Sequence, residues 1–445
     1  MGMGTRKVRM SMHVMTRRSA TLWGLAVCVL GILMIALATI AAIVLQHPAS
    51  SHASASDYYV APNGSDSNPC TQTQPCFTIR SVAKLLQPGS TVHAAPGTYT
   101  YSDSIYTGTS GTAAAPITFI SDTPRAAKIV VTGAPLVWYN SGNYVRISGF
   151  DMTDTSGNNN QGLDNYGSHT LASGNYIHDI ATWGCPSYGA GINDANFDAI
   201  DVTEQQNLVV RIGPPGGSNC GGSTHGIYHA NTNGTVQNNI VAEVSGFCIK
   251  VGHNASNDLV INNTLVNCGF GGVYIGSYGS NSSGVPYPPA SGDHVANNII
   301  TNSGTATGAK PLAISIEDSA STNNSLSFSN NLFWANASNT IRFSSGNGTQ
   351  TGTVVANPLF ANGALNGTGD YHLLAGSPAV GHGTSQDAPD LDFGGVARPQ
   401  AQGYDIGAYE YVSSGQTPLQ VTNVPCSVQV NGIMQSGTCT GTFTP

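Results

Sequence analysis

Charged side chains are scarce in this sequence: 15 Lys plus Arg and 23 Asp plus Glu, together 9% of 445 residues. A typical soluble chain carries about 25%. Disorder maintained by self-repulsion is therefore excluded. So is a long-helix protein, in which Ala, Glu, Lys, Leu and Arg dominate. Acids are missing before Asp57, whereas Arg6, Lys7, Arg9, Arg17 and Arg18 all lie there. From Ser56 onward 10 basic residues face 23 acids, a formal charge of 10 − 23 = −13. No nucleic-acid partner is expected of such a body, because nothing neutralises phosphate. CxxC pairs are missing too, which argues against a zinc site built on cysteine.

What remains is 54 Gly and an abundance of Asn, Ser and Thr, the composition of an all-β chain with many turns. The basic N-terminus is followed by an uncharged apolar run of 24 residues, Leu22 to Leu45. That is long enough to span a bilayer. Ala53-Ser54-Ala55 downstream has the small-x-small form of a signal-peptidase site. Residues 1–55 thus read either as a cleaved signal peptide or as a transmembrane anchor with its basic end inside. Either way residues 56–445 are expected outside the cytoplasm, extracellular or at the cell surface. Cys28 lies in the apolar run, and eight further cysteines follow. An even number in an exported chain implies disulfides. Neighbours in sequence give Cys70–Cys76, Cys185–Cys220, Cys248–Cys268 and Cys426–Cys439.

An irregular repeat sets the fold. Asn238-Asn239-Ile240-Val241, Asn262-Asn263-Thr264-Leu265, Asn297-Asn298-Ile299-Ile300 and Asn330-Asn331-Leu332-Phe333 recur, with Gly174-Asn175-Tyr176-Ile177 before them. A second phrase alternates with the first: Gly226-Ile227-Tyr228-His229, Cys248-Ile249-Lys250-Val251, Gly272-Val273-Tyr274-Ile275 and Ala313-Ile314-Ser315-Ile316. Short strands separated by Asn/Gly turns cannot bury their own apolar side, but stacked units can. Equivalent Asn residues would then stack at one turn, about 4.8 Å apart. This describes a parallel β-helix solenoid. A β-propeller would need blades of about 40–45 residues. The expected organisation is 1–55 as above, 56–411 as the β-helix, and 412–445 as a tail or small β element.

The phrases at both ends carry a resemblance. Tyr58-Tyr59-Val60-Ala61-Pro62-Asn63-Gly64-Ser65-Asp66, then Phe77-Thr78-Ile79 and Ala95-Pro96-Gly97-Thr98-Tyr99, are similar to the opening of exported right-handed β-helix proteins of the pectate-lyase-like superfamily, family-nine polysaccharide lyases among them. Asp392-Phe393-Gly394-Gly395, Arg398-Pro399 and Asp405-Ile406-Gly407-Ala408-Tyr409-Glu410-Tyr411 resemble the closing segment of bacterial surface β-helix proteins. The resemblance implies a right-handed solenoid with Thr78–Leu86 as a short capping helix. Ile79, Val82, Leu85 and Leu86 would form its apolar face. It also implies activity on an acidic polysaccharide, with a general base and either calcium as a cofactor or an Arg to neutralise the uronate carboxylate.

Candidate residues follow from the repeat register. Period-two alternation sends Lys250 outward between Tyr228 and Tyr274, one coil before and after it. Lys250 is the candidate base or carboxylate contact, and Tyr228 and Tyr274 would line the sugar path. His225 and His229 are further catalytic candidates beside this ladder, and Arg211 is a candidate substrate contact. Asp194, Asp198, Asp201 and Glu204 cluster one coil earlier, and Asp194, Asp198 and Asp201 could hold Ca2+. The expected function is that of a lyase on uronic-acid polymers, acting as a monomer. A non-catalytic glycan-binding surface protein is the alternative. A polygalacturonase-like hydrolase is a third reading, suggested by Asn196-Phe197-Asp198-Ala199-Ile200-Asp201, but that family's adjacent Asp-Asp pair and Arg-Ile-Lys phrase are missing.

Overall fold

The computed structural model describes residues 56–154, 160–186, 188–214, 220, 223–277, 284–306, 312–318, 325–344, 348–400, 402–413, 422–430 and 433–440. The apolar N-terminal run lies outside them. Among the described residues no helix is long and apolar enough to cross a membrane.

The chain winds into a right-handed parallel β-helix of three sheets, with 11, 10 and 9 strands in the order in which the chain first enters them. One coil shows the pattern. Thr235–Gln237 lies in the first sheet, Ile240–Val244 in the second and Phe247–Gly252 in the third. The next coil repeats it with Leu259–Ile261, Thr264–Cys268 and Gly271–Ser277. Register partners are like with like: Val236 with Val260, Val241 with Leu265, Ile249 with Val273. These side chains are fully or almost fully buried and form one continuous column. Each buried Val or Ile removes apolar surface worth about 1.5–3 kcal/mol from water, and only stacking makes that removal possible.

The Asn-Asn phrases become the turn between first and second sheets. The first Asn of each pair adopts positive φ: 52° at Asn238, 55° at Asn262, 53° at Asn297 and 52° at Asn330. Asn tolerates this left-handed conformation better than most residues. The second Asn points inward and joins a ladder running Asn175, Asn207, Asn239, Asn263, Asn298, Asn331. Each Nδ2 donates to the next Oδ1 at 3.0–3.1 Å. The spacings of 32, 32, 24, 35 and 33 residues show that coils differ in length while the turn stays in register. Each amide also reaches a backbone carbonyl, as Asn263 does with Val236 at 2.8 Å, so the buried turn is satisfied.

The capping helix is shorter than expected, Ile79–Ala83, with Thr78 accepting from the Ser81 amide at its start. Ile79 and Val82 are buried and Leu86 nearly so, but Leu85 is 42% exposed. The helix ends before Leu85, so that residue leaves the apolar face. Three of the expected disulfides are present: Cys70–Cys76, Cys185–Cys220 and Cys248–Cys268. The expected Cys426–Cys439 pair lies outside the described side chains. The backbone there is an antiparallel hairpin of Thr422–Val430 and Ile433–Thr440.

The segment at 358–411 folds back along the outer face of the second sheet. Tyr371, Phe393, Ala408 and Tyr409 pack on Val210, Ile240, Ala242 and Val266. The outer side chains of the turn fasten it: Asn238 to Leu391 O (2.6 Å), Asn262 to Gly407 O (3.0 Å), Asn297 to Thr384 O (2.8 Å). The closing phrase is structural. Arg398 and Glu410 form a fully buried ion pair at 2.5 Å inside that segment.

Candidate functional site

The third sheet carries the site, and along Ile227, Tyr228 and His229 and their register partners successive side chains face in, out and in. The outward row is Tyr106, Tyr139, Asp164, Asn193, Tyr228, Lys250, Tyr274, in successive register. Lys250 therefore sits between Tyr228 and Tyr274, as the repeat predicts. Its Nζ lies 5.0 Å from the Tyr228 ring centre and 5.7 Å from that of Tyr274. Both are within cation–π range. His225 is on the same outer face and stacks on Tyr228 at 5.4 Å. Burial, then the nearby Lys250 charge, push its pKa well below the usual histidine value. The imidazole is neutral at physiological pH, and its buried Nδ1 has no hydrogen-bond partner. This group is covered: Lys250 is 5% and His225 6% exposed. Phe197, His253 and Tyr287 pack mutually beside Tyr228, with ring centres 4.4–6.1 Å apart.

Asp164, farther along the row, accepts from Asn193 Nδ2 at 2.6 Å. Burial raises its pKa to about 6.

The inward row, one residue further on, is polar where a solenoid core is usually aliphatic. Thr107 donates to Asn140 (3.1 Å), Asn140 to Asn165 (2.9 Å) and Asn165 to Asp194 (2.7 Å). His229, the register partner of Asp194, donates from Nδ1 to Glu204 at 2.9 Å. Its Nε2 lies 3.5 Å from Asp258 Oδ1. The Asp258 amide in turn donates to Asp293 Oδ1 at 3.1 Å. Burial opposes ionisation throughout. At Glu204 the His229 charge and the hydrogen bonds from Asp194 and His229 outweigh burial and hold the pKa down. At Asp194 burial and the Glu204 charge push it well up. At His229 burial is overcome by Glu204 and Asp258, and the pKa rises well above the usual value. The pair Asp194 and Glu204 thus shares one proton beside an imidazolium.

Asp194, Glu204 and His229 each offer a ligand atom, all within 4.8 Å of one another, so this buried group could hold a metal ion. An ion there would have to displace the proton shared by Asp194 and Glu204 and one proton of His229, which frees those ligand atoms. The expected trio does not form. Asp194 points inward. Asp198 is exposed on a turn, with its amide bonded to Asn196. Asp201 pairs with His169 at 2.9 Å. Arg211 is likewise placed elsewhere, on the second sheet, paired through Nε with Asp179 at 2.6 Å. Glu204 is one of the clustered acids of the sequence, whereas Asp258 and Asp293 join this group only through the stacking of coils. Their signal was the recurrence of Asp258-Leu259-Val260 and Asp293-His294-Val295 at one coil position.

No protein-family model matches the sequence, and no curated protein does. Among solved structures the chain is similar to pectate lyase Pel9A, at 16% identity and TM-score 0.51, covering 80% of this chain and 96% of that one. It is also similar to a GH136 lacto-N-biosidase from Eubacterium ramulus, at 13% identity and TM-score 0.46, with 67% of each chain covered. A rhamnogalacturonan lyase matches at 14% identity and TM-score 0.41, covering 69% of this chain and 91% of that one. The likeness to pectate lyase Pel9A bears on architecture alone, and the chain has a right-handed parallel β-helix fold.

Proposed function

We propose that this protein is an exported carbohydrate-active β-helix that cleaves uronic-acid-containing polysaccharides by β-elimination. One observation carries the reading: a lysine flanked by two tyrosines and a neutral histidine whose Nδ1 has no hydrogen-bond partner share one outward face of the solenoid. Elimination needs a cation at the uronate carboxylate and a base for the proton beside it. Lys250 is assigned the carboxylate and His225 the proton. The C–H electrons form the new C=C bond, and the glycosidic C–O bond breaks. The leaving oxygen takes a proton from Tyr228, Tyr274 or water. The fold shared with pectate lyase Pel9A supports the reading by analogy only.

Calcium, implied by the family resemblance, lacks its expected ligands, because Asp194, Asp198 and Asp201 do not converge. A cation is assigned instead to Asp194, Glu204 and His229. A donor set with an imidazole suits Zn2+ or Mn2+ better than the oxygen-only preference of calcium. Such an ion would neutralise buried carboxylates. The elimination is not routed through it.

A second reading, glycan binding without turnover, is favoured by the cover over Lys250, which is only 5% exposed. One assay separates the two. The protein is incubated with pectate, alginate and glucuronan-type polymers, and the ultraviolet absorbance of unsaturated uronate is followed. A rise that is lost in Lys250→Ala and His225→Ala supports elimination. A flat trace with new reducing ends indicates hydrolysis. A flat trace without new ends leaves binding alone.

A further inference from the structure

Beyond Asp164, the outward row of the third sheet becomes aromatic. Tyr106 and Tyr139 are register partners on consecutive coils, and Tyr166 follows two residues after Asp164 on the next. Ring centres are 5.8 Å apart for Tyr106–Tyr139 and 5.4 Å for Tyr139–Tyr166, with planes tilted by 50° and 39°. Tyr106 is 55% exposed, and the other two are half-buried. Unlike the aromatics Trp138 and Phe150, none of the three belongs to the core. A contiguous run of rings outside the core, one exposed and two half-buried, is unusual on a folded surface and marks a binding face.

The chemistry at its edge narrows the ligand. Asp164 is the register partner of Tyr139, and its Oδ1 accepts from Asn193 Nδ2 at 2.6 Å. An acceptor-only carboxylate beside an amide donor suits the vicinal hydroxyls of a sugar. The rings suit the apolar C–H face of a pyranose, and their progressive tilt suits a glycan that twists as it extends. Beside Tyr106 the row opens into a cleft of about 410 Å³ whose lining includes Arg80, Ser104 and Pro135. The charges along the row are ordered. A uronate over the rings would face the Asp164 carboxylate, whereas one farther along faces Lys250. Asp164 and Lys250 are separated by Asn193 and Tyr228, three strand steps of about 4.8 Å each.

We infer that Tyr106, Tyr139 and Tyr166, with Asp164 and Asn193 at their edge, form a platform for neutral pyranose units. The substrate is then a heteropolysaccharide that presents uncharged sugars a few units away from the uronate held at Lys250. This second statement rests on the proposed role of Lys250; the platform itself does not.

Calorimetric titration of the full chain in mild detergent tests it. The probes are neutral galacto-, gluco- and manno-oligosaccharides and a homogeneous oligogalacturonate. At least one neutral oligosaccharide is expected to bind. Tyr139→Ala should weaken that binding by about tenfold, the loss typical of one truncated aromatic anchor, while Tyr139→Phe keeps it. Asp164→Asn should tighten oligogalacturonate binding, and so should lowering the pH through about 6 in the wild type. Unfolding midpoints of all variants establish that they are folded. Failure of every neutral oligosaccharide to bind, or neutral binding unchanged in Tyr139→Ala, overturns the platform. If oligogalacturonate still binds through Lys250 in that case, the reading of Lys250 stands without it. If neutral sugars bind through Tyr139 and Lys250→Ala leaves oligogalacturonate binding unchanged, the platform stands and the reading of Lys250 falls.

Discussion

Tyr228 and His229 are neighbours in the chain and belong to two different chemistries. Tyr228 faces out, into a row with Lys250 and Tyr274. His229 faces in, bonded to Glu204 and close to Asp258. Both rows are built by the same strands at the same spacing. The outward groups, 5–8% exposed, lie beneath a cover of side chains on the outer face and contain the cation, the neutral imidazole and the rings. The inward groups are sealed, and their charges are balanced against one another by shared protons. A histidine inside a sealed cage has no route to a substrate, so His229 is assigned to structure and His225 to chemistry.

Substitutions in the two rows should therefore separate stability from activity. The largest effect is expected for His229→Ala, which leaves Glu204 buried without its counter-ion. Removing one partner of a buried pair costs about 3–5 kcal/mol, read as the free energy of urea unfolding. Lys250→Ala should cost less, about 2 kcal/mol of stability, the scale of a desolvated cation–π contact. Its effect belongs on turnover: formation of unsaturated uronate should fall by about a hundredfold, on the order of 2.7 kcal/mol. If the two variants exchange these phenotypes, the comparison is broken.

A metal sharpens the same contrast. Zn2+ or Mn2+ at a hundredfold excess over its dissociation constant should add about 2.7 kcal/mol to the unfolding free energy of the wild type. His229→Ala should abolish that gain, and Lys250→Ala should not. A gain that survives His229→Ala would place the ion elsewhere.

The inward row should also make stability depend on pH. Asp194, Asp258, Asp293 and His229 have raised pKa values, so the folded state binds more protons than the unfolded one. Their contribution is fully present below the unfolded values, 3.8 for the aspartates and 6.5 for the histidine. It is lost as pH rises through the raised ones, at up to about 1.4 kcal/mol per pH unit per proton. Glu204 works oppositely: its contribution is present above 4.5 and lost as pH falls through its lowered value. The unfolding midpoint should thus be higher at pH 5 than at pH 9, and Asp293→Asn should flatten the slope. A midpoint that rises over that interval contradicts the assigned protonation.

The solenoid was legible because its repeats act on the backbone. Asn238-Asn239 and its equivalents specify a left-handed turn residue followed by an inward amide, and that pairing recurs at any coil length. The placement of Lys250 between Tyr228 and Tyr274 followed from counting along Ile227, Ile249 and Val273. The acids were harder. Asp194, Asp198 and Asp201 are close in sequence, but a strand and a turn separate their directions, so closeness in number was misleading. Asp258 and Asp293 are 35 residues apart and become neighbours only through stacking. The fold-back of 358–411 left a different trace. Leu208-Val209-Val210 and Ile240-Val241-Ala242 are unbroken apolar runs, where a strand with a wet outer face would alternate. Such runs signal burial on both faces without naming the cover.

The most direct test of the assignment of chemistry to the outward row is calorimetric titration of oligogalacturonate into wild-type and Lys250→Ala protein, with unfolding midpoints measured on the same samples. The account predicts saturable heat for the wild type and its loss in Lys250→Ala, with a cooperative unfolding transition retained in both. Equal binding by both proteins would contradict it.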